Sequence, residues 1–115
     1  MEKIRFAKMV ASGNDFVVIE FAGSRVRGFA GLVKEICDRR YGIGADGVLL
    51  LEKSKISDVK MRIFNADGSE AEMCGNGARC VALYSARGQR TEGRRQRKIS
   101  IETMAGIIEA GVKEN

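Results

Sequence analysis

NADGSEAEMCGNGARCVA, residues 65–82, sets one cysteine, Cys74, at the mouth of a glycine-rich turn that opens into a helix. Gly75 and Gly77 carry no Cβ, so the backbone there can turn tightly and bring its N–H groups close to a ligand. Residues 78–86 favour helix, and Gly88 is available as its stop. The first N–H groups of a helix have no internal partner and gather partial positive charge. A carboxylate fits there. So does a thiolate, and a cysteine pKa at such a position falls from ~8.5 into a range of about 3.5–7.5. From these residues alone two readings stay open. Cys74 is either a reactive sulfur beside an anion cradle or a buried cysteine ahead of an ordinary Gly-Asn-Gly turn.

Working back from this stretch, residues 59–64 read as a strand with Val59, Met61 and Ile63 on one face. It ends at Asn65, beside the Asp67-Gly68 turn signal, and residues 70–73 return as a short strand that delivers Cys74. Residues 42–47 form a second glycine-rich loop. It is like a phosphate loop only superficially, since no lysine follows and residues 48–51 read as a strand rather than a helix. Phe29, Leu32, Val33, Ile36, Cys37 and Arg40 recur at spacings of three and four, which is one face of an amphipathic helix with Gly42 as its stop. Cys37 lies on that apolar face and reads as core. Residues 4–9 and 16–21 read as two strands of a hairpin, with a polar turn over 10–15 and Asn14 at its tip. Taken alone, Asn14 is explained by turn chemistry, because asparagine tolerates left-handed backbone.

Downstream, Val81, Leu83 and Tyr84 are expected to be buried in the helix. Cys80 lies six positions after Cys74, roughly 240° around the helix, so the two thiols do not face one ligand and Cys80 reads as packing. Residues 98–103 alternate as a strand, 104–106 turn, and 107–112 return. There are no repeats and no low-complexity tracts. The order of elements predicts one α+β domain over residues 1–115.

A chain of 115 residues can bury roughly 60–70% of its extended surface, enough for a core. Neither a signal-peptide start nor a run of ~20 apolar residues is seen, so a cytoplasmic protein without a membrane partner is expected. Three cysteines without CxxC spacing argue for reduced thiols rather than a disulfide scaffold. With no histidine, and cysteines at 37, 74 and 80, no metal site is indicated. Acid–base chemistry must then fall to cysteine, carboxylate, lysine or tyrosine. The net charge of +5 owes much to Arg87, Arg90, Arg94, Arg95, Arg97 and Lys98. That run has no aromatic partners for stacking bases, so it reads as a solvated loop and not as a nucleic-acid surface.

Four stretches in order resemble diaminopimelate epimerases: SGNDFVVIE, RRYGIGADGVLL, the box around Cys74, and IETMAGIIEAGV. The resemblance implies a mixed and antiparallel curved sheet wrapped around a central helix, one half of a two-domain fold. It implies cofactor-independent inversion of LL- to meso-diaminopimelate, in lysine biosynthesis, by two thiols on opposite faces of the α-carbon. Cys74 is then one of those thiols. Gly75 and Asn76 offer N–H groups to the reacting carboxylate, and Asn14 and Asn65 bind the distal end of the substrate. Proline-racemase-like relatives typically carry histidine where this chain has Asn76, which favours the diaminopimelate branch over a related amino-acid racemase.

The chain departs from the family at residues 10–12, where Val10-Ala11-Ser12 replaces a typical His-Gly pattern, and in its basic loop over 88–98. It resembles only the first domain, so a C-terminal domain with the second cysteine is expected to be absent. Three readings follow: half of an epimerase, a self-associating chain with two Cys74 thiols facing each other, or a catalytically silent amino-acid-binding or interaction module. In the first two the chain pairs with a missing domain or with a second copy. An exposed sheet edge is expected in either case.

Overall fold

The computed structural model describes residues 4–20, 28–90 and 98–112, with the side chains of 89 and 90 left aside. Phe21 and residues 91–97 of the basic loop, on which some of the expectations fell, lie outside them. Among the described residues, seven strands and two helices follow in the order β1 (Ala7–Ala11), β2 (Asn14–Glu20), α1 (Phe29–Cys37), β3 (Gly47–Glu52), β4 (Val59–Asn65), β5 (Glu70–Ala71), α2 (Gly75–Arg90), β6 (Lys98–Thr103) and β7 (Gly106–Gly111).

The strands form one sheet in the order β1-β2-β3-β4-β6-β7, with β5 paired to β4 off this path. Hairpin neighbours pair antiparallel, whereas β2 with β3 and β4 with β6 pair parallel. Each parallel pair is joined through a helix, as a crossover between parallel strands requires. The two helices cover opposite faces. Val17, Ile19, Val48 and Leu50 pack with Phe29, Val33 and Cys37 of α1, while Val18, Leu49, Met61, Ile63 and Ile101 pack with Ala78, Val81 and Ala82 of α2. Central strands covered on both faces read as unbroken apolar runs rather than alternating ones, which is why VVI and VLLL appear in β2 and β3. Helix α2 touches β1 and β2 at one end of the sheet and β6 and β7 at the other, so the sheet curves around it. This is the mixed curved α+β architecture the sequence implied. Strands β1 and β7 end the order, and each presents an unpaired outer edge among the described residues.

Several boundaries differ from the sequence reading, each for a local reason. Strand β1 begins at Ala7, opposite Val18, and not at residue 4. It runs on to Ala11 because the turn needs only Ser12 and Gly13, at φ 50 and 84, the left-handed pair that a two-residue hairpin turn demands. Asn14 is therefore the first residue of β2, not the tip. Helix α1 stops at Cys37 rather than near Arg40, because the Asp38 carboxylate accepts the N–H groups of Arg40 and Tyr41 at 2.8 and 2.9 Å and so competes with helix continuation. Strand β5 is shorter than the four residues anticipated, ending at Ala71.

Helix α2 begins at Gly75 and runs past Gly88 to Arg90. The Gly-Asn-Gly segment is thus the first turn of the helix and not a turn before it: Ala78 N–H donates to Cys74 O at 2.9 Å, and neither glycine has positive φ. A glycine stops a helix by adopting left-handed backbone, and Gly88 does not. Leu83 and Tyr84 are half-buried instead of buried. No helix among the described residues is long and apolar enough to cross a membrane.

Candidate active site

The antiparallel pairing of β3 with β4 and the parallel pairing of β2 with β3 put Phe16, Gly47 and Asn65 in one row across the sheet. Asn14, Asp15 and Asp46 stand just before that row, so the start of β2, the start of β3 and the end of β4 share one end of the sheet. Helix α2 aims its first turn at the same end, because the Asn76 carboxamide donates from Nδ2 to Asn14 Oδ1. Topology thus brings Asn14 against Asn76, 62 positions away, in the same turn that carries Gly75 and follows Cys74.

Cys74 precedes the helix, half-buried, with its sulfur 3.4 Å from the N–H of Gly77. The described residues offer no acceptor to the N–H groups of Gly75 and Asn76, so these donors of the first turn are unpaired among them. A Cβ on Gly77 would lie 2.9 Å from Leu49 Cδ2 and 3.7 Å from Cys74 Sγ, so the Leu49 side chain would have to shift to admit it. A Cβ on Gly75 would meet nothing, so the fold itself makes no demand for glycine there.

Asn65 stands apart from this group. Its Nδ2 donates to Ser69 Oγ at 3.0 Å within the turn that Gly68, at φ 91, closes, and no hydrogen bond among the described residues links it to Asn14 or Asn76. It shares the sheet end without joining the network.

The other two thiols are core. Cys37 and Cys80 are 4% and 3% exposed, and burial pushes both thiols up from their ordinary range. A protonated, inaccessible thiol is a poor nucleophile. With limiting iodoacetamide near neutral pH, Cys74 is expected to be alkylated at least about tenfold faster than either. Peptide mapping that finds equal rates at the three cysteines would refute this.

A cluster absent from the sequence reading supports Asn14. Arg39 donates to both carboxylate oxygens of Asp15 at 2.8 Å and reaches Asp46 Oδ1 at 3.1 Å. Lys8 adds an ion pair to Asp15 at 3.1 Å and donates to Gly44 O. The hydrogen bonds from Arg39, with help from Lys8, hold the Asp15 carboxyl well below the usual carboxylate range. A depressed carboxyl contributes stability above the unfolded pKa of ~3.9 and loses it as pH falls through the folded value. The stability gap between wild type and Asp15→Asn, followed by urea unfolding, is therefore expected to be widest above about pH 4 and to narrow steadily in acid. A gap that grows on acidification contradicts the ion pair. In the sequence, Asp15 and Asp46 fall within the polar turn over 10–15 and the glycine-rich loop over 42–47. Nothing local marks two aspartates thirty-one positions apart as partners.

A profile of the family described as diaminopimelate epimerase matches residues 6–115. The diaminopimelate epimerase of Caldanaerobacter subterraneus subsp. tengcongensis is 52% identical over 107 residues, covering 91% of this chain and 36% of its own length. That of Carboxydothermus hydrogenoformans is 48% identical over 115 residues, 97% of this chain and 41% of its own. The chain thus spans about two fifths of these relatives' length. Among solved structures, a PhzF-family phenazine biosynthesis protein of Bacillus anthracis superposes with a TM-score of 0.73 at 21% identity, over 100% of this chain and 38% of its own. A hydroxyproline epimerase from Agrobacterium vitis, solved with trans-4-hydroxy-L-proline, gives 0.69 at 15% identity, over 96% and 38%. At such identities these two likenesses speak for the fold alone.

Proposed function

The chain belongs to the diaminopimelate epimerase family, and from that premise we propose that it supplies one thiol of a two-thiol proton-transfer site acting on diaminopimelate. The observation that carries this reading is the start of α2: Cys74 as the residue before the helix, its sulfur beside one N–H, and the next N–H donors of the turn free. Cys74 as thiolate takes the α-proton, forming an S–H bond while the C–H electron pair passes into the carbanion. A second thiol returns a proton to the opposite face. The first cysteine ends protonated and the second as thiolate, so the reverse direction exchanges their roles and no oxidant or cofactor enters. Charge developing on the α-carboxylate is met by the N–H groups of Gly75 and Asn76, which need no reorganisation when it forms. Asn14 and Asn65 hold the distal amino and carboxylate groups. A cytoplasmic setting suits three free thiols.

The second thiol comes from outside this chain's own fold, either from the remainder of an epimerase of the relatives' length or from another copy. The open edges of β1 and β7 favour some such pairing. Proton NMR of LL-diaminopimelate in D₂O tests the proposal. The purified chain alone is expected to leave the α-proton signal intact, while residues 1–115 joined to the remaining length of the Caldanaerobacter relative are expected to remove it. Exchange by the chain alone, rising with the square of its concentration, would assign the second thiol to another copy. A folded fusion that never exchanges would reduce the chain to a binding module.

A further inference from the structure

Two carboxamides lie in series at the site, and the two ends of a carboxamide have the same shape. Which end faces which neighbour is set only by the partners. Here both outer partners are groups that cannot change sense. At one end Arg79 donates from Nη2 to Asn76 Oδ1, and a guanidinium has no acceptor. Asn76 must then turn Nδ2 toward Asn14, whose Oδ1 accepts it. That leaves Asn14 Nδ2, which donates to Asp46 Oδ2 at 3.1 Å, and an ionised carboxylate only accepts.

We propose that Arg79 and Asp46 are positioning residues that fix the direction of this relay, Arg79 to Asn76 to Asn14 to Asp46, and so fix which face of the Asn14 amide meets a ligand. Both ends are themselves anchored. Arg79 also donates to Ser12 Oγ at 3.0 Å, at the tip of the β1–β2 hairpin, one of the positions where the chain departs from the typical family pattern. Asp46 has donors on both oxygens, the Asp15 N–H at 3.1 Å on Oδ2 and Arg39 at 3.1 Å on Oδ1. Its own N–H returns to Asp15 Oδ1 and Asp15 O at 3.0 and 2.9 Å. The relay therefore ties the hairpin turn, the first turn of α2, the start of β2 and the loop before β3 into one directional chain.

The consequence is a choice of ligand chemistry. With one Nδ2–H engaged by Asp46 and one Oδ1 lone pair engaged by Asn76, Asn14 keeps a second N–H and a second lone pair, each on a fixed edge of the amide. The oxygen edge accepts from an ammonium or another N–H donor, the nitrogen edge donates to a carboxylate, and reversing the relay would exchange the two. This consequence rests on the amino-acid reading above, whereas the relay rests only on contacts within the chain, so the two can fail separately.

The test uses the full chain without ligand and reads the side-chain NH₂ resonances of Asn14 and Asn76 by ¹H–¹⁵N NMR. Arg79→Met is expected to shift the Asn14 pair, although Arg79 does not touch Asn14. Asp46→Asn is expected to shift the Asn76 pair from the other end, and Arg79→Lys, which keeps a donor, to restore wild-type positions. Methyl signals of Val81 and Ile99 in the buried core report the fold and are expected to stay in place. If each substitution moves only the amide it contacts, the two ends are independent and the proposal is overturned. Should Asp46→Asn unfold the chain through its Arg39 and Asp15 contacts, the Arg79 variants, made at an exposed position, decide the matter alone.

Discussion

Replacing Cys74 by alanine in the fused enzyme is expected to lower α-proton exchange from LL-diaminopimelate by about 10⁴-fold, the upper end of what a positioned general base contributes. The chain has no histidine to substitute for it. The other sulfur on α2, Cys80, is buried in the core against the sheet and closed to a ligand. The Asp15 and Asp46 carboxylates are fully engaged with Arg39 and the backbone, so they are poorly placed to take a proton from a ligand. Cys74→Ser tests the chemistry more finely. It keeps a polar atom near the Gly77 N–H, yet a hydroxyl is too weak an acid to supply the anion, so exchange is expected to stay close to the alanine level. Because Cys74 is only half-buried, circular dichroism and melting should barely change. Near-wild-type exchange in either variant would remove Cys74 from the mechanism.

The largest effect on stability is expected at Gly42. The loop after α1 folds back beneath the end of the helix. Gly42 N–H donates to Asp38 O at 3.0 Å, Gly44 N–H to Ile36 O at 2.9 Å and Ala45 N–H to Cys37 O at 3.3 Å, satisfying carbonyls that the helix leaves orphaned. The loop must pass so close that a Cβ on Gly42 would lie 2.0 Å from Glu35 O, 2.8 Å from Ile36 O and 3.0 Å from Asp38 O. All three are backbone atoms, which cannot swing aside as a side chain can. Gly42→Ala is therefore expected to cost about 3–5 kcal/mol, in the tail of single substitutions that force backbone apart. At roughly 4 °C per kcal/mol, a scan should show the melting temperature falling by more than about 10 °C. The same loop carries Asp46 toward Asn14, so any folded remainder should also show displaced Asn14 side-chain resonances. Gly31→Ala, at a helical position where a Cβ meets nothing, is the control and should be neutral or mildly stabilising. A melting temperature for Gly42→Ala within a few degrees of wild type would contradict this account of the loop.

Much of the molecule was legible in its residues because it depends on local chemistry. The apolar face of α1 follows from spacings of three and four. The Asp67-Gly68 turn follows from the backbone freedom of glycine, and Gly68 does adopt positive φ. The box around Cys74 places one thiol at the start of a helix, and the order of motifs matches the family to which the chain belongs.

Boundaries were less legible, because competing local bonds settle them. The Asp38 carboxylate ends α1 early, and Gly88 fails to end α2 because its backbone stays helical. Tertiary structure alone decided the rest. Parallel pairing of β2 with β3 and β4 with β6, and burial of one helix on each face, are settled by packing between segments far apart in the chain. So is the hydrogen-bonded relay. Asn14 meets Asp46 across 32 positions and Asn76 across 62. A sequence can show that a side chain is able to donate or accept, but the direction in which it does so is set by whichever partner the fold brings within about 3 Å.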